Sequence, residues 1–364
     1  MADPKITVVM LTRNSDAYLH GALDSLLNQT YKNFELLIVD SNSTDDTIKI
    51  INSYKDARIR LIRDHYGDGI GLARKYSMTL ARGKYIAILD SDDIAFEDRL
   101  QIECEYLDSH EDVHLVGSTI LIINEKGKLE RVDHAITNPL AIRWKLLFQN
   151  CISHSTVMFR KDFALKVGGY DGEINTGEDF DLWIRFAAFG KITQFDRPMA
   201  KWRRHNLSAT ALNVFSNKDQ DALTVMKSIK LQTNMDVPFA IARCLLGYFP
   251  ESHVDDDTVL KAYDVVLSCW CHIQSESLSN EERTILKVMA IKEILRVAIK
   301  ASTSFRTVAG AIKYAAKIDP LFIFNIGIIY YTVLNFLNKV LGSRINKIDK
   351  LQPLYLRIMS FYKG

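Results

Sequence analysis

The chain opens on a short β-rich run, Ile6-Thr7-Val8-Val9-Met10-Leu11, and then changes period. Tyr18, Leu19, Ala22, Leu23, Leu26 and Leu27 recur at helical spacing and predict an amphipathic helix. Phe34 to Val39 predicts a second strand. Ser43, with Asp46 three residues on, marks a helix start ahead of Ile48, Ile50 and Ile51. Ile59 to Ile62 predicts a third strand, Gly71 to Leu80 a third helix, and Tyr85 to Leu89 a fourth strand. The unbroken apolar character of that last run fits a parallel strand covered on both faces. Strand and helix alternating at this spacing predict a βαβ sheet, whose ligands sit beyond the C-terminal strand ends.

Residues 126–215 are more mixed, with short strands expected near 155–159 and 191–195 and a helix over 178–189. Beyond about residue 216 the periodicity is helical, over 216–232, 255–275, 279–301 and 303–317. The expected organisation is α/β, with a first domain over 1–215 in two halves (about 1–125 and about 126–215). A helical region over 216–319 follows, and then a segment over 320–364. No repeat or low-complexity segment interrupts it.

Composition narrows the class. Hydrophobic residues make up 48% and charged residues 25%, ordinary for a folded domain and excluding a disordered chain. The formal charge of +2 gives no basic field, so no nucleic-acid partner is expected. The five cysteines form no Cys-x-x-Cys pair, which disfavours a disulfide framework or zinc site and fits a reducing, cytoplasmic setting. Met1 to Lys5 leads straight into the first strand, so no signal peptide is expected.

The strand ends carry the chemistry. The first runs into Thr12-Arg13-Asn14, the second into Asp40-Ser41-Asn42-Ser43, and the fourth into Asp90-Ser91-Asp92-Asp93. A lone Asp after a strand is usually a turn or capping residue. Asp90-Ser91-Asp92 is different, because adjacent anions repel unless a cation lies between them. Oxygen ligands at this spacing suit Mg²⁺ or Mn²⁺ shared with a substrate phosphate. Gly67-Asp68-Gly69-Ile70-Gly71 follows the third strand instead of the first, so it is a turn and not a dinucleotide loop.

Taken in order, Val8 to Asn14, Ile38 to Thr47, Gly71 to Lys75 and Gly83 to Asp93 resemble the family-2 glycosyltransferases of the GT-A fold. Gly168-Gly169-Tyr170-Asp171, Gly177 to Trp183 and Trp202-Arg203-Arg204-His205 agree, so the resemblance spans residues 5–210. It implies a Rossmann-like mixed sheet flanked by helices, and the helical periodicity beyond residue 216 adds an all-α C-terminal region. It also implies an inverting hexosyl transfer from a nucleotide-sugar, UDP by family frequency, with Mn²⁺ or Mg²⁺. Matched by position, Thr12, Asn14, Asp40, Arg74, Asp90 and Arg204 would hold the donor. Asp92 and His205 would hold the metal, and Asp179 would be the catalytic base. Two positions depart from the family pattern, with Ser41 where an acid is common and Lys75 where Asn is common. The chemistry needs these residue types. An attacking hydroxyl must lose its proton, and a leaving diphosphate gains charge. A metal-dependent nucleotidyltransferase and a non-catalytic glycan-binding relative are the competing classes; Asp179 discriminates against the first, and Asp92, Asp179 and His205 together argue against the second.

Residues 321–337 are apolar and free of charge, slightly short of a spanning helix, and are followed by Lys339, Arg344, Lys347, Lys350, Arg357 and Lys363 against Asp349. Two readings stand. One is a core or homo-oligomer helix with a solvated tail. The other is a helix in an anionic cytoplasmic leaflet, held by its cations. Because many family members act on lipid-linked glycans, the expected setting is peripheral on the inner membrane face, building a surface polysaccharide or lipopolysaccharide.

Overall fold

The computed structural model describes residues 3–63, 69–206, 208, 214–249, 254–301 and 304–320. The expected turn at 67–68 and the segment 321–364 lie outside them. By contacts the chain divides into two units, Met1–Thr224 and Val225–Gly364.

In the first unit, β1 (Ile6–Thr12), α1 (Asp16–Leu27), β2 (Phe34–Asp40), α2 (Thr47–Ser53), β3 (Ile59–Arg63), α3 (Ile70–Leu80) and β4 (Tyr85–Ile88) alternate. β1 pairs in parallel with both β2 and β4, and β2 with β3. The chain therefore runs outward to β3 and returns to the other side of β1. That reversal opens a crevice at the carboxyl end of β1, where such sheets bind ligands. β2 is buried along its whole length and β4 likewise, which is why their sequences lack polar alternation. Leu19, Ala22, Leu23 and Leu26 of α1 close one face of this core.

The sheet continues through β5 (Ile94–Ala95), β6 (Val113–Ile123), β7 (Leu129–Asp133), β8 (Met158–Arg160) and β9 (Lys191–Arg203). The order is β3-β2-β1-β4-β8-β6-β9-β5, with β7 paired to β6. β8 joins antiparallel to β4 and β6, and β9 runs parallel to β6, so the sheet is mixed. Helices α4 (Arg99–Ser109), α5 (Pro139–Leu146), α6 (Lys161–Lys166) and α7 (Glu178–Phe189) flank it. The architecture is the α/β arrangement expected from the sequence, with three local corrections. The strand near 155–159 is shifted, because His154–Thr156 is a 3₁₀ turn and the strand is Met158–Arg160. The strand near 191–195 runs on to Arg203, because pairing with β6 resumes after register shifts around Ser118 and Thr119. The helix expected from Ser43 begins at Thr47, because the Ser43 side chain is drawn back to Asp40.

One buried cation fixes the end of β4. Arg99 is fully buried, pairs with Glu103 at 3.1 Å, and donates from Nη1 to the Ile88 carbonyl at 3.0 Å and from Nη2 to the Val157 carbonyl at 2.9 Å. It therefore ties β4 to the turn that carries His154 and Ser155. Burial pushes the Glu103 carboxyl up to about 7 despite Arg99.

Helix α8 (Val214–Thr233) begins in the first unit and continues into the second. The second unit adds α9 (Phe239–Leu246), α10 (Asp256–Gln274), α11 (Asn280–Ala301) and α12 (Phe305–Ile318). α9 was not evident in the sequence pattern. The others bury residues three and four apart, such as Val259, Ala262, Tyr263 and Val266 on α10 and Val308, Ala311 and Ala315 on α12. Asp255 and Ser304 cap α10 and α12 by accepting from Thr258 N and Thr307 N. No described helix is long and apolar enough to cross a membrane.

Candidate active site

The carboxyl ends of β1 and β2 form one linked loop pair. Thr12 and Asp40 are buried, and Thr12 Oγ1 donates to Asp40 Oδ1 at 3.0 Å. Ser43 donates to Asp40 from its backbone N at 3.1 Å and from Oγ at 2.5 Å, and its Oγ accepts from Asn14 N at 2.9 Å. Asn14 sits at φ 49°, the left-handed region that Asn tolerates, and its Oδ1 accepts from Thr44 N at 2.8 Å. Thr12, Asn14 and Asp40 are thus brought together.

The end of β4 lies beside them, joined by a 2.9 Å hydrogen bond from Ser91 Oγ to Ser15 Oγ. Asp90 accepts from Arg74 Nη2 at 2.5 Å, and its backbone N donates to Ser155 Oγ at 3.1 Å. Arg74 is only 3% exposed, and its Nε and Nη1 have no hydrogen-bond partner among the described residues. Burial works to lower the Arg74 pKa, but Asp90, Tyr170 and Glu178 more than reverse it, so it stays charged. Burial likewise works to raise Asp90, and the positive charge of Arg74 outweighs it and holds the carboxyl below its ordinary value. α3 is docked so tightly that a Cβ at Gly71 would meet the Ile174 carbonyl oxygen at 2.1 Å. This close approach ties the Arg74 helix to the loop that leads into α7.

Asp92 and His205 meet across the crevice, Nε2 to Oδ2 at 2.7 Å. Burial and then repulsion from Asp90 raise the Asp92 pKa, against His205. Asp93 is fully buried and raised well above its ordinary value by burial, Asp92 and Asp90. Its Oδ1 accepts from Arg203 N at 2.9 Å. Asp92 and Asp93, two carboxyls raised in this way and crowded against Asp90, are short of positive charge. A divalent ion fits Asp92 and His205, with Asp90 alongside, on their donor chemistry. Among the described residues no three His, Cys, Asp or Glu side chains form a ready cage, so most ligands would come from substrate phosphate and water.

Asp179 stands in the first turn of α7. Gly177 enters that helix at φ 72°, a conformation that favours glycine. Asp179 Oδ1 accepts from Phe180 N at 2.7 Å and Oδ2 from Asn150 Nδ2 at 3.0 Å. Burial pushes its carboxyl up to about 6, with Asp221 and Asp90 adding to that effect and the two hydrogen bonds opposing it. Neighbouring Glu178 is pushed up to about 8 by burial and then by Asp179. A shared pair of acids at these values can hold one proton near neutral pH.

Arg204 is not brought to this cluster. Its side chain is exposed and pairs with Glu130 of β7 at 3.1 Å. Its neighbour Arg203 reaches the acidic loop instead, donating from Nε to the Asp92 carbonyl at 3.0 Å. Sequence reasoning also passed over His154, Tyr170 and Asn150. His154 Nε2 lies 2.8 Å from the Tyr170 hydroxyl, and burial followed by Arg74 lowers its pKa to about 3, so it stays neutral. Gly168-Gly169-Tyr170 was a usable signal for Tyr170. Asn150 had none.

Comparison with known proteins agrees with the geometry. The family described as "Glycosyl transferase family 2" matches residues 7–168. The O-antigen biosynthesis glycosyltransferase WbnJ of Escherichia coli is 34% identical over 213 residues, covering 57% of this chain and 78% of WbnJ. The chain belongs to glycosyltransferase family 2 and is a glycosyltransferase. A second Escherichia coli relative, named UDP-Glc:alpha-D-GlcNAc-diphosphoundecaprenol beta-1,3-glucosyltransferase WfaP, is 28% identical over 63% of this chain and 88% of its own. In fold, the chain is similar to the crystal structure of S. aureus TarS 1–349 in complex with UDP-GlcNAc. The TM-score is 0.52 at 16% identity, covering 88% of this chain and 92% of that one.

Proposed function

We propose that the protein transfers a sugar, with inversion, from a UDP-sugar to a hydroxyl of a lipid-linked glycan during surface polysaccharide synthesis. The observation that carries this reading is Asp179, a carboxyl raised to about 6, oriented by Asn150 and near enough to Asp90 for that charge to raise it further. A base poised near the working pH is what proton removal from an alcohol requires. WfaP, whose name states a UDP-glucose donor and a diphosphoundecaprenol-linked acceptor, supports the choice of donor nucleotide and acceptor class.

The residues divide the work. Thr12, Asn14 and Asp40 line the strand ends where base and ribose would lie. Buried Arg74, whose Nε and Nη1 have no partner among the described residues, would direct its positive charge to diphosphate oxygens. Mn²⁺ or Mg²⁺, held by Asp92 and His205, would supply Lewis-acid stabilisation of the leaving diphosphate. Asp179 accepts the proton of the attacking hydroxyl. Glu178, protonated near neutral pH, leaves the carboxylate charge on its neighbour. Outside the described residues, the apolar segment 321–337 and its basic tail support docking to an anionic leaflet or, in the competing reading, self-association.

A screen of nucleotide-sugars for hydrolysis with Mn²⁺ tests the reading. Turnover of a UDP-sugar is expected. Inertness toward every UDP-sugar, with turnover of a different nucleotide's sugar, would overturn the choice of donor.

A further inference from the structure

His205 lies just past the end of β9, so the strand alone does not fix its ring. Two contacts do. One is the 2.7 Å approach of Nε2 to Asp92 Oδ2. The other is Tyr18 of α1, whose ring centroid is 5.0 Å from the imidazole at an interplanar angle of 49°. The same Tyr18 ring carries the Arg203 guanidinium 4.6 Å from its centroid. Arg203 is in turn anchored, donating to the Asp92 carbonyl and, from Nη1, to the Asn124 and Glu125 carbonyls at 3.3 and 3.2 Å. Its backbone N holds Asp93. Tyr18 therefore contacts both a cation locked into the acidic loop and the imidazole that faces Asp92. The Tyr18 hydroxyl makes no hydrogen bond to a described residue, so the ring face is what acts.

We propose that Tyr18 is a positioning residue that holds His205 against Asp92 and so sets the strength of metal-dependent donor binding. The ring acts through His205. It gives the imidazole a wall to rest on, and it gains cation–π attraction from Arg203 on the way. Residues that orient a metal ligand typically change metal affinity by about 10–100-fold when removed. This inference rests on the proposed metal role of Asp92 and His205.

The test is calorimetry on the full-length chain with UDP, in the presence and absence of Mn²⁺. The variants are Tyr18→Ala, Tyr18→Leu, Tyr18→Phe and His205→Ala, and thermal unfolding of each is followed. Tyr18→Ala is expected to weaken Mn²⁺-dependent UDP binding about 10-fold or more while leaving metal-free UDP affinity within about twofold. Tyr18→Phe should restore it, since only the ring is needed. If Tyr18→Ala does not fold, Tyr18→Leu, which keeps apolar bulk without the ring, is judged by the same criterion. Metal-dependent binding unchanged in the Ala or Leu variant, while His205→Ala loses it, would overturn the role of Tyr18. Metal-dependent binding unchanged in His205→Ala would instead overturn the metal assignment on which it rests.

Discussion

Replacing Asp179 by Asn keeps the shape of the side chain and removes its basicity. The structure sets what else changes. The amide oxygen can still accept from Phe180 N, now at 2.7 Å. The amide nitrogen would face Asn150 Nδ2, now a donor at 3.0 Å. Asn150 cannot simply flip, because its own Oδ1 accepts from Ile152 N at 3.1 Å. One hydrogen bond is therefore lost, worth about 1 kcal/mol, too little to unfold the domain. The catalytic loss is larger, about 10²-fold or more for a positioned base, or about 2.7 kcal/mol in the barrier. The pH profile gives a second signature. Asp179 acts when deprotonated, and its pKa is raised to about 6. About nine-tenths of it is ionised at pH 7 and about one-tenth at pH 5, so wild-type turnover should fall about tenfold between them along an acid limb. The variant should lack that limb. The assay is steady-state release of UDP from a turned-over donor, followed from pH 5 to 8, with UDP affinity measured in parallel. Turnover within a few-fold of wild type, or an intact acid limb in Asp179→Asn, would refute the assignment.

Two other changes probe the remaining parts of the proposal. Asp92→Ala should abolish Mn²⁺-dependent UDP binding while leaving the fold intact, since among the described residues the side chain its carboxylate pairs with is that of His205; calorimetry with and without Mn²⁺ reads this. Deleting residues 320–364 should shift the protein from the membrane fraction to the supernatant, because each cation near an anionic leaflet contributes about 1 kcal/mol and the tail carries six; a full-length oligomer in the supernatant that dissociates on deletion would favour self-association instead.

The nucleotide half was legible because local pattern and tertiary role coincide there. Doubly covered strands must be apolar throughout, and their polar ends stand out against them, which is why Asp40 and Asp90 could be picked from the chain alone. The strand through Arg203 was harder. Asp196-Arg197-Pro198 interrupts its pattern, and only pairing with β6, across a register shift, carries it onward. That extension delivers Arg203 to the acidic loop. Arg203 and Arg204 are indistinguishable as sequence, but strand alternation sends one into the crevice and the other to Glu130. Asn150 and His154 follow α5 in irregular chain, where no periodicity advertises a role. Ser43 shows the opposite failure. A good capping residue by type, it is claimed by Asp40 before the helix begins.

The most direct test of the central claim is proton NMR of the products formed from an α-linked UDP-sugar with Mn²⁺. Release of UDP, with the sugar first appearing as the β-anomer or in β-linkage to an acceptor mimic, is the expected result. A first-formed α-product, or cleavage that releases a sugar phosphate with UMP, would contradict inverting glycosyl transfer by this site.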